Sequence, residues 1–277
     1  VYKIVFFDID GTLVTEQKII PKSTKKAVMQ LKEKGIIPVI ATGRAPSLIK
    51  EVAAELGIHS AITMNGQYVV VEEQVIFQNP LPAESVARLS TVAQVNGHSI
   101  AFCGSEGITG NSIILLANRG WLKKLYPFAK RWVPKRLITR LNRLVSKKKI
   151  PEEQFANRTI YQCVVAADEQ TRYLYQEQFP ELHMTSSNAY AVDIVSGGMS
   201  KAIGIQKVLD HLELDIEETM AFGDSLNDLE MLQAVGLGIA MGNSKPELKK
   251  VADQTTGDVG EDGIYQALAA LGLVASK

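Results

Sequence analysis

Cysteine is scarce: the 277 residues include two, Cys103 and Cys163. That is too few for a disulfide framework, and their separation matches no zinc motif. Long apolar runs are missing as well. Stretches such as Ile36 to Ala41 and Ile113 to Ala117 fall far short of the roughly 18 residues that span a bilayer. Neither sign of charge is in excess, with 30 basic and 30 acidic residues, so overall charge points to no nucleic-acid or membrane partner. The four histidines, His59, His98, His183 and His211, show no ligand spacing. No Gly-x-Ser-x-Gly elbow occurs, and in Gly236 to Gly242 the third glycine comes one place too late for a dinucleotide fingerprint. Val1 to Phe7 is apolar but meets Asp8 and Asp10 without a charged leader or cleavage site, so a cytoplasmic protein is expected.

What is present is core material. Hydrophobic residues make up 46% and charged residues 22%, which excludes disordered and low-complexity classes. The length suits two domains, or one core with a large insertion. The first third alternates strands and helices. Strands are expected at Lys3–Phe7, Ile36–Ala41 and Ser60–Met64, and helices at Pro21–Lys34 and Pro46–Leu56, the latter two stopped by Gly35 and Gly57. Tyr68–Val71 and Val75–Phe77 suggest a hairpin across Glu72-Glu73. Alternation resumes with strands at Tyr190–Val195, Thr219–Phe222 and Leu237–Ala240. The helices of this part are expected at Ser200–Leu212, Asn227–Val235, Pro246–Val251 and Gly263–Leu271. Alternation at both ends implies one parallel sheet built from both, residues 1–82 and 188–277, with an α/β module inserted over 83–187. The insertion has its own charge: from Arg119 to Lys149 there are 12 basic residues and no acidic one, leaving 18 basic against 30 acidic elsewhere.

Polar clusters fall at the carboxyl ends of the expected strands, where open α/β sheets bind ligands. Asp8-Ile9-Asp10-Gly11-Thr12 puts two carboxylates two residues apart, ahead of a glycine. Such a pair calls for a cation, which suggests Mg²⁺, or for an acid/base role. Thr42-Gly43-Arg44 offers a hydroxyl, an open backbone and a guanidinium to an anionic oxygen. Lys201 sits at a helix N-terminus, itself suited to anions. Gly223 to Asp228 adds Asp224, Asn227 and Asp228. Each cluster taken alone has a plainer reading, a polar turn for Asp8–Thr12 and Thr42–Arg44, a solvated lysine for Lys201 and helix N-caps for Gly223–Asp228; four at four strand ends argue for a site.

In these residues the sequence resembles the haloacid dehalogenase (HAD) superfamily of aspartate-nucleophile phosphatases, specifically its Cof-type branch. Asp8–Thr12, Thr42–Arg44, Lys201 and Gly223–Asp228 stand in the order of the four family motifs, with the insertion between the second and third. Two departures are mild: Ala202 follows the third-motif lysine where glycine is usual, and Gly197-Gly198 replaces a more proline-bearing approach. The resemblance implies a Rossmann-like core with an inserted cap, and a Mg²⁺-dependent phosphohydrolase acting on a small phosphorylated metabolite. It implies Asp8 as nucleophile and Asp10 as acid and base, with Asp8, Asp10, Asp224 and Asp228 around the metal. Thr42, Gly43, Lys201 and Asn227 would hold phosphate and Arg44 would touch substrate; Asn65 either helps shape the site floor or simply makes the turn.

The basic stretch admits three readings: a positive lid that steers an anionic substrate, a helix that meets anionic lipid or nucleic acid, or a solvated helix packed by a leucine stripe. A non-catalytic module that binds a polyanion through this stretch is therefore an alternative. A phosphomutase is another, since it also uses an aspartyl phosphate.

Overall fold

The computed structural model describes residues 1–111, 150–166, 169–188 and 191–275. The apolar run Ile113 to Ala117 and the basic stretch 119–149 lie outside the described residues. The chain divides into two compact units, one of residues 1–44, 48–78 and 199–277, the other of 45–47 and 79–198.

The first unit is organised about β1 (Ile4–Phe7), whose four residues are all buried. Successive side chains of a strand point to opposite faces. Val5 and Phe7 accordingly enter one apolar cluster while Ile4 and Phe6 enter another. A strand buried on both faces must be apolar throughout, which is why Ile-Val-Phe-Phe does not alternate. Around it lie β2 (Ile37–Ala41), β3 (Ala61–Thr63), β4 (Tyr68–Val71), β5 (Gln74–Gln78), β11 (Thr219–Gly223), β12 (Leu237–Ala240) and β13 (Gln254–Thr255), in the order β13-β12-β11-β1-β2-β3-β4-β5. Pairing is parallel from β13 to β3 and antiparallel through β4 and β5. Helices α1 (Lys22–Glu33), α2 (Lys50–Leu56) and α8 (Gly263–Ala270) close one face with Val28, Leu31, Leu56, Ile264 and Leu268. The other face is closed by α5 (Lys201–Leu212), α6 (Leu229–Ala234) and α7 (Pro246–Val251), through Ile205, Val208, Met231, Leu232 and Leu248. Phe7 and Phe222 stack across β1 and β11 with centroids 5.4 Å apart. Fully burying each such ring contributes about 1.5–3 kcal/mol.

The second unit holds α3 (Ala83–Val95), α4 (Glu169–Gln178) and an antiparallel sheet. Among the described residues its strands are β6 (Ile100–Cys103), β7 (Ile108–Gly110), β8 (Gln162–Val165), β9 (Leu182–Asn188) and β10 (Ala191–Ser196), ordered β7-β6-β8-β10-β9. One sequence expectation is corrected here. The strand expected over 190–195 is found as β10 over Ala191–Ser196, but it pairs antiparallel with β8 and β9 in this sheet and does not join the parallel one. Its residues are buried on both faces, and that burial made an antiparallel strand read like a parallel one. Smaller differences follow ordinary end effects: the helix expected from Pro46 begins as a 3₁₀ turn, and Leu226–Asp228 does likewise before α6.

No helix among the described residues is long and apolar enough to cross a membrane. Both thiols are free and buried, Cys103 on β6 and Cys163 on β8. Burial pushes the Cys103 thiol up to about 12, with the Asp193 carboxylate adding to it, and raises the Cys163 thiol well above its ordinary value. Neither thiol should therefore react with an aromatic disulfide reagent at pH 8 in the native protein, and both should react on denaturation. Rapid native labelling of either would contradict this packing.

Candidate active site

The parallel strands deliver their polar ends to one edge of the first unit. Asp8 follows β1 directly and is 5% exposed. Its Oδ1 accepts a hydrogen bond of 2.6 Å from the Lys201 ammonium at the start of α5. The same nitrogen donates to Asp228 Oδ1 at 2.5 Å. Both partners of this second bond have fully buried side chains. Asp228 spends its other oxygen on the backbone N–H groups of Asp224 and Ser225, at 3.0 and 2.9 Å. Two of the three ammonium donors of Lys201 are thus committed to carboxylates, and both oxygens of Asp228 are committed to the protein.

Asp224 completes the cluster: one carboxylate oxygen from each of Asp8, Asp224 and Asp228 lies within 4.8 Å of the others. Its Oδ1 is buried with no hydrogen-bond partner. A buried, unpartnered carboxylate oxygen is costly, and a group of hard oxygens is the donor set that a divalent cation such as Mg²⁺ takes. The residues therefore fit such an ion, with Asp8 and Asp224 offering oxygens and Asp228 bracing them. Gly11 makes the close approach possible. It sits at φ +82°, and a Cβ there would fall 2.2 Å from Asp224 Oδ2.

Asp10 is held differently. Its two oxygens accept from Arg44 Nε and Nη2, both at 2.7 Å, and Lys18 also pairs with Oδ1. Burial pushes its carboxyl upward, but the Arg44 and Lys18 cations outweigh this and bring it down to about 2. Asp10 is held as a carboxylate in this arrangement. Thr42, at the end of β2, is 2% exposed, and its hydroxyl accepts from the Arg44 backbone N–H at 3.2 Å. Asn65 is 3% exposed; its side-chain oxygen accepts from Asn227 Nδ2 at 3.4 Å and lies against Gly43. The remaining oxygen of Asn227, Oδ1, is buried without a partner.

All ten expected site residues thus lie at the carboxyl ends of β1, β2, β3 and β11 or at the start of α5. The direct contacts join them in two sets: Asp8, Lys201, Asp228 and Asp224; and Asp10 with Arg44, which Thr42 links to Asn65, Asn227 and Gly43. Two further residues escaped sequence reading. Lys18 reaches Asp10 from a loop that carries no motif. Asn243 donates to the Gly11 carbonyl at 2.9 Å and accepts from the Val259 N–H at 2.8 Å, tying the first acidic loop in place. It lies just past β12, so a polar turn at another parallel-strand end was the available signal.

Burial raises the Asp8 carboxyl to about 8, Lys201 opposing and the neighbouring Asp228 and Asp224 reinforcing the rise; burial and Asp228 raise Asp224 to about 7. Raised carboxyl values mean that the folded protein holds protons which the unfolded chain gives up above about pH 4. Metal-free protein should therefore lose thermal stability as pH rises from 5 to 8.5. Mg²⁺, replacing the protons, should raise the melting temperature more at pH 8 than at pH 6. A Mg²⁺ effect independent of pH in differential scanning fluorimetry would contradict this electrostatic account.

The match to known proteins extends over nearly the whole chain. The family model described as haloacid dehalogenase-like hydrolase matches residues 5–268. A putative phosphatase of Bacillus subtilis, YkrA, is 38% identical over 275 residues, covering 98% of each chain. An HMP-PP phosphatase of Yersinia pseudotuberculosis is 30% identical over 264 residues, 91% of this chain and 88% of its own. Among solved structures, the HAD subclass IIB sugar phosphatase BT4131 superposes with a TM-score of 0.79 at 29% identity, covering 98% of this chain and 100% of its own. With family model, relatives and fold in agreement, the chain belongs to the haloacid dehalogenase-like hydrolases and is a phosphatase of that family.

Proposed function

We propose that the protein is a Mg²⁺-dependent phosphatase of a small phosphorylated metabolite, a sugar phosphate or a compound of similar size, acting through an aspartyl phosphate in the cytoplasm. The observation that carries this reading is the buried Asp8 at a strand end, bonded to the Lys201 ammonium and clustered within 4.8 Å of a carboxylate oxygen of Asp224, whose Oδ1 has no partner. An Asp8 oxygen attacks phosphorus, and the bond to the leaving oxygen breaks as Asp10 supplies that oxygen with a proton. Water then attacks the phosphorus of the aspartyl phosphate, giving its proton to Asp10, and the Asp8–phosphorus bond breaks to release inorganic phosphate. Arg44 holds Asp10 as a carboxylate, so Asp10 must leave that pair and take up a proton before it can serve the leaving oxygen; a charged substrate that draws Arg44 to itself would favour both changes.

Thr42, the Gly43 amide, Lys201 and Asn227 hold the transferring phosphoryl oxygens, where positioning and charge neutralisation supply most of the rate. Asp8, the Asp10 backbone carbonyl and Asp224 would hold the cation, with Asp228 supporting them. When bound, the ion neutralises phosphoryl charge that would otherwise repel the Asp8 carboxylate. The inserted module, expected over 83–187, is assigned the choice of substrate. Sugar phosphatase and HMP-PP phosphatase activities, as named for the relatives, indicate how widely that choice varies.

The test is hydrolysis of p-nitrophenyl phosphate with and without Mg²⁺. The rate should need the ion and fall to background in Asp8→Asn, while Asp10→Asn should lose about 10²–10⁴-fold. Full activity in a folded Asp8→Asn protein would refute the nucleophile, and a rate indifferent to Mg²⁺ and chelator would refute the cation.

A further inference from the structure

The turn after β3, Met64-Asn65-Gly66, has three consecutive residues with positive φ, at 51°, 55° and 94°. Left-handed backbone is uncommon for a non-glycine residue and an outlier for one as bulky as methionine. Met64 is nevertheless fully buried and Asn65 is 3% exposed, so surrounding structure holds both there. The contacts show what the conformation achieves. The Met64 N–H donates to the Arg44 carbonyl at 3.0 Å, and the Asn65 N–H to the Thr42 carbonyl at 3.1 Å. The Asn65 side-chain oxygen takes the Asn227 amide and abuts Gly43, where a Cβ would come within 3.1 Å of it. Gly66 lies so close to α5 that a Cβ on it would fall 2.1 Å from the Ser200 carbonyl, one residue before Lys201.

One turn therefore touches the loop after β2, the loop after β11 and the start of α5. These are the three segments that carry Thr42, Gly43, Asn227 and Lys201. We propose that Asn65 is a positioning residue: it fixes the spacing between the Gly43 amide and the Asn227 side chain, and the left-handed turn exists to aim it. This rests on the phosphatase reading of the site. Asn227 is the informative partner, because its Oδ1 is buried without a hydrogen bond and its direction depends on what grips the opposite end of the amide.

Asn65→Gly separates positioning from folding, since glycine takes positive φ freely and should keep the turn. We expect its melting temperature to stay within a few degrees of wild type. Its kcat should fall about 10–100-fold, as small misplacements at a reacting centre do, with KM changed less than threefold. A cycle with Asn227→Ala supplies the decisive readout: residues acting as a unit are non-additive, so Asn227→Ala should cost much less in the Asn65→Gly background than alone. Unchanged kcat in Asn65→Gly, or fully additive losses, would overturn the proposal. If wild type itself hydrolyses nothing, the phosphatase reading fails, and the same cycle is then read as affinity for inorganic phosphate with Mg²⁺. Non-additive weakening there would still uphold the positioning role; additive weakening, or no phosphate binding, would end it.

Discussion

The site is built around one buried cation. Removing an ammonium group from water costs several kcal/mol even after relaxation, and the Lys201 side chain is fully buried. Two carboxylates 2.6 and 2.5 Å away offset that cost, and they come from distant places in the chain: Asp8 at the end of the first strand, Asp228 after β11. The pair in turn is tolerable only because Lys201 lies between them. Neither charge could be buried there alone, so α5, β1 and the loop after β11 are mutually dependent. The Lys201 ammonium is held well above its ordinary value by Asp228 and Asp8, although burial opposes this, so it remains charged.

From this follows the chemistry of the edge. Three clustered carboxyl groups beside one lysine would carry excess negative charge if all were ionised, which is why Asp8 and Asp224 hold protons in the metal-free protein, and a phosphate monoester brings more charge. A divalent ion at the unpartnered Asp224 oxygen relieves both problems, whereas the Asp10 carboxylate is already countered by Arg44 and Lys18. The backbone is shaped to the same end. Gly11 lets the first acidic loop press against Asp224, and Asn243 pins that loop from behind. The strained turn at Met64–Asn65, a conformation that costs of order 1–3 kcal/mol per residue, is maintained by its position among these loops.

Much of this was legible in the sequence because parallel strands buried on both faces write uninterrupted apolar runs. Ile4–Phe7, Ile37–Ala41 and Leu237–Ala240 lie at or within a residue of where those runs predict. Polar clusters at the ends of such runs mark the ligand edge, which is how Asp8, Thr42 and Asp224 stand out. The signal failed at β10, whose apolar run is the same whether its neighbours are parallel or antiparallel. It failed at Lys18 and Asn243 because their roles depend on which loops meet in space. The left-handed turn was visible as Asn-Gly, but nothing local said that Met64 would share it, since that conformation is imposed by the Arg44 and Thr42 carbonyls.

The most direct measurement is the unfolding free energy of Lys201→Met without divalent ions, beside Lys201→Met/Asp228→Asn. If the buried cation organises the site, the single variant should lose about 3–5 kcal/mol, the usual cost of leaving a buried charge unpaired. The second substitution should recover a substantial part of that loss, with Asp8 the carboxylate still lacking its partner. A single variant as stable as wild type would contradict the account, as would a double variant less stable than the single.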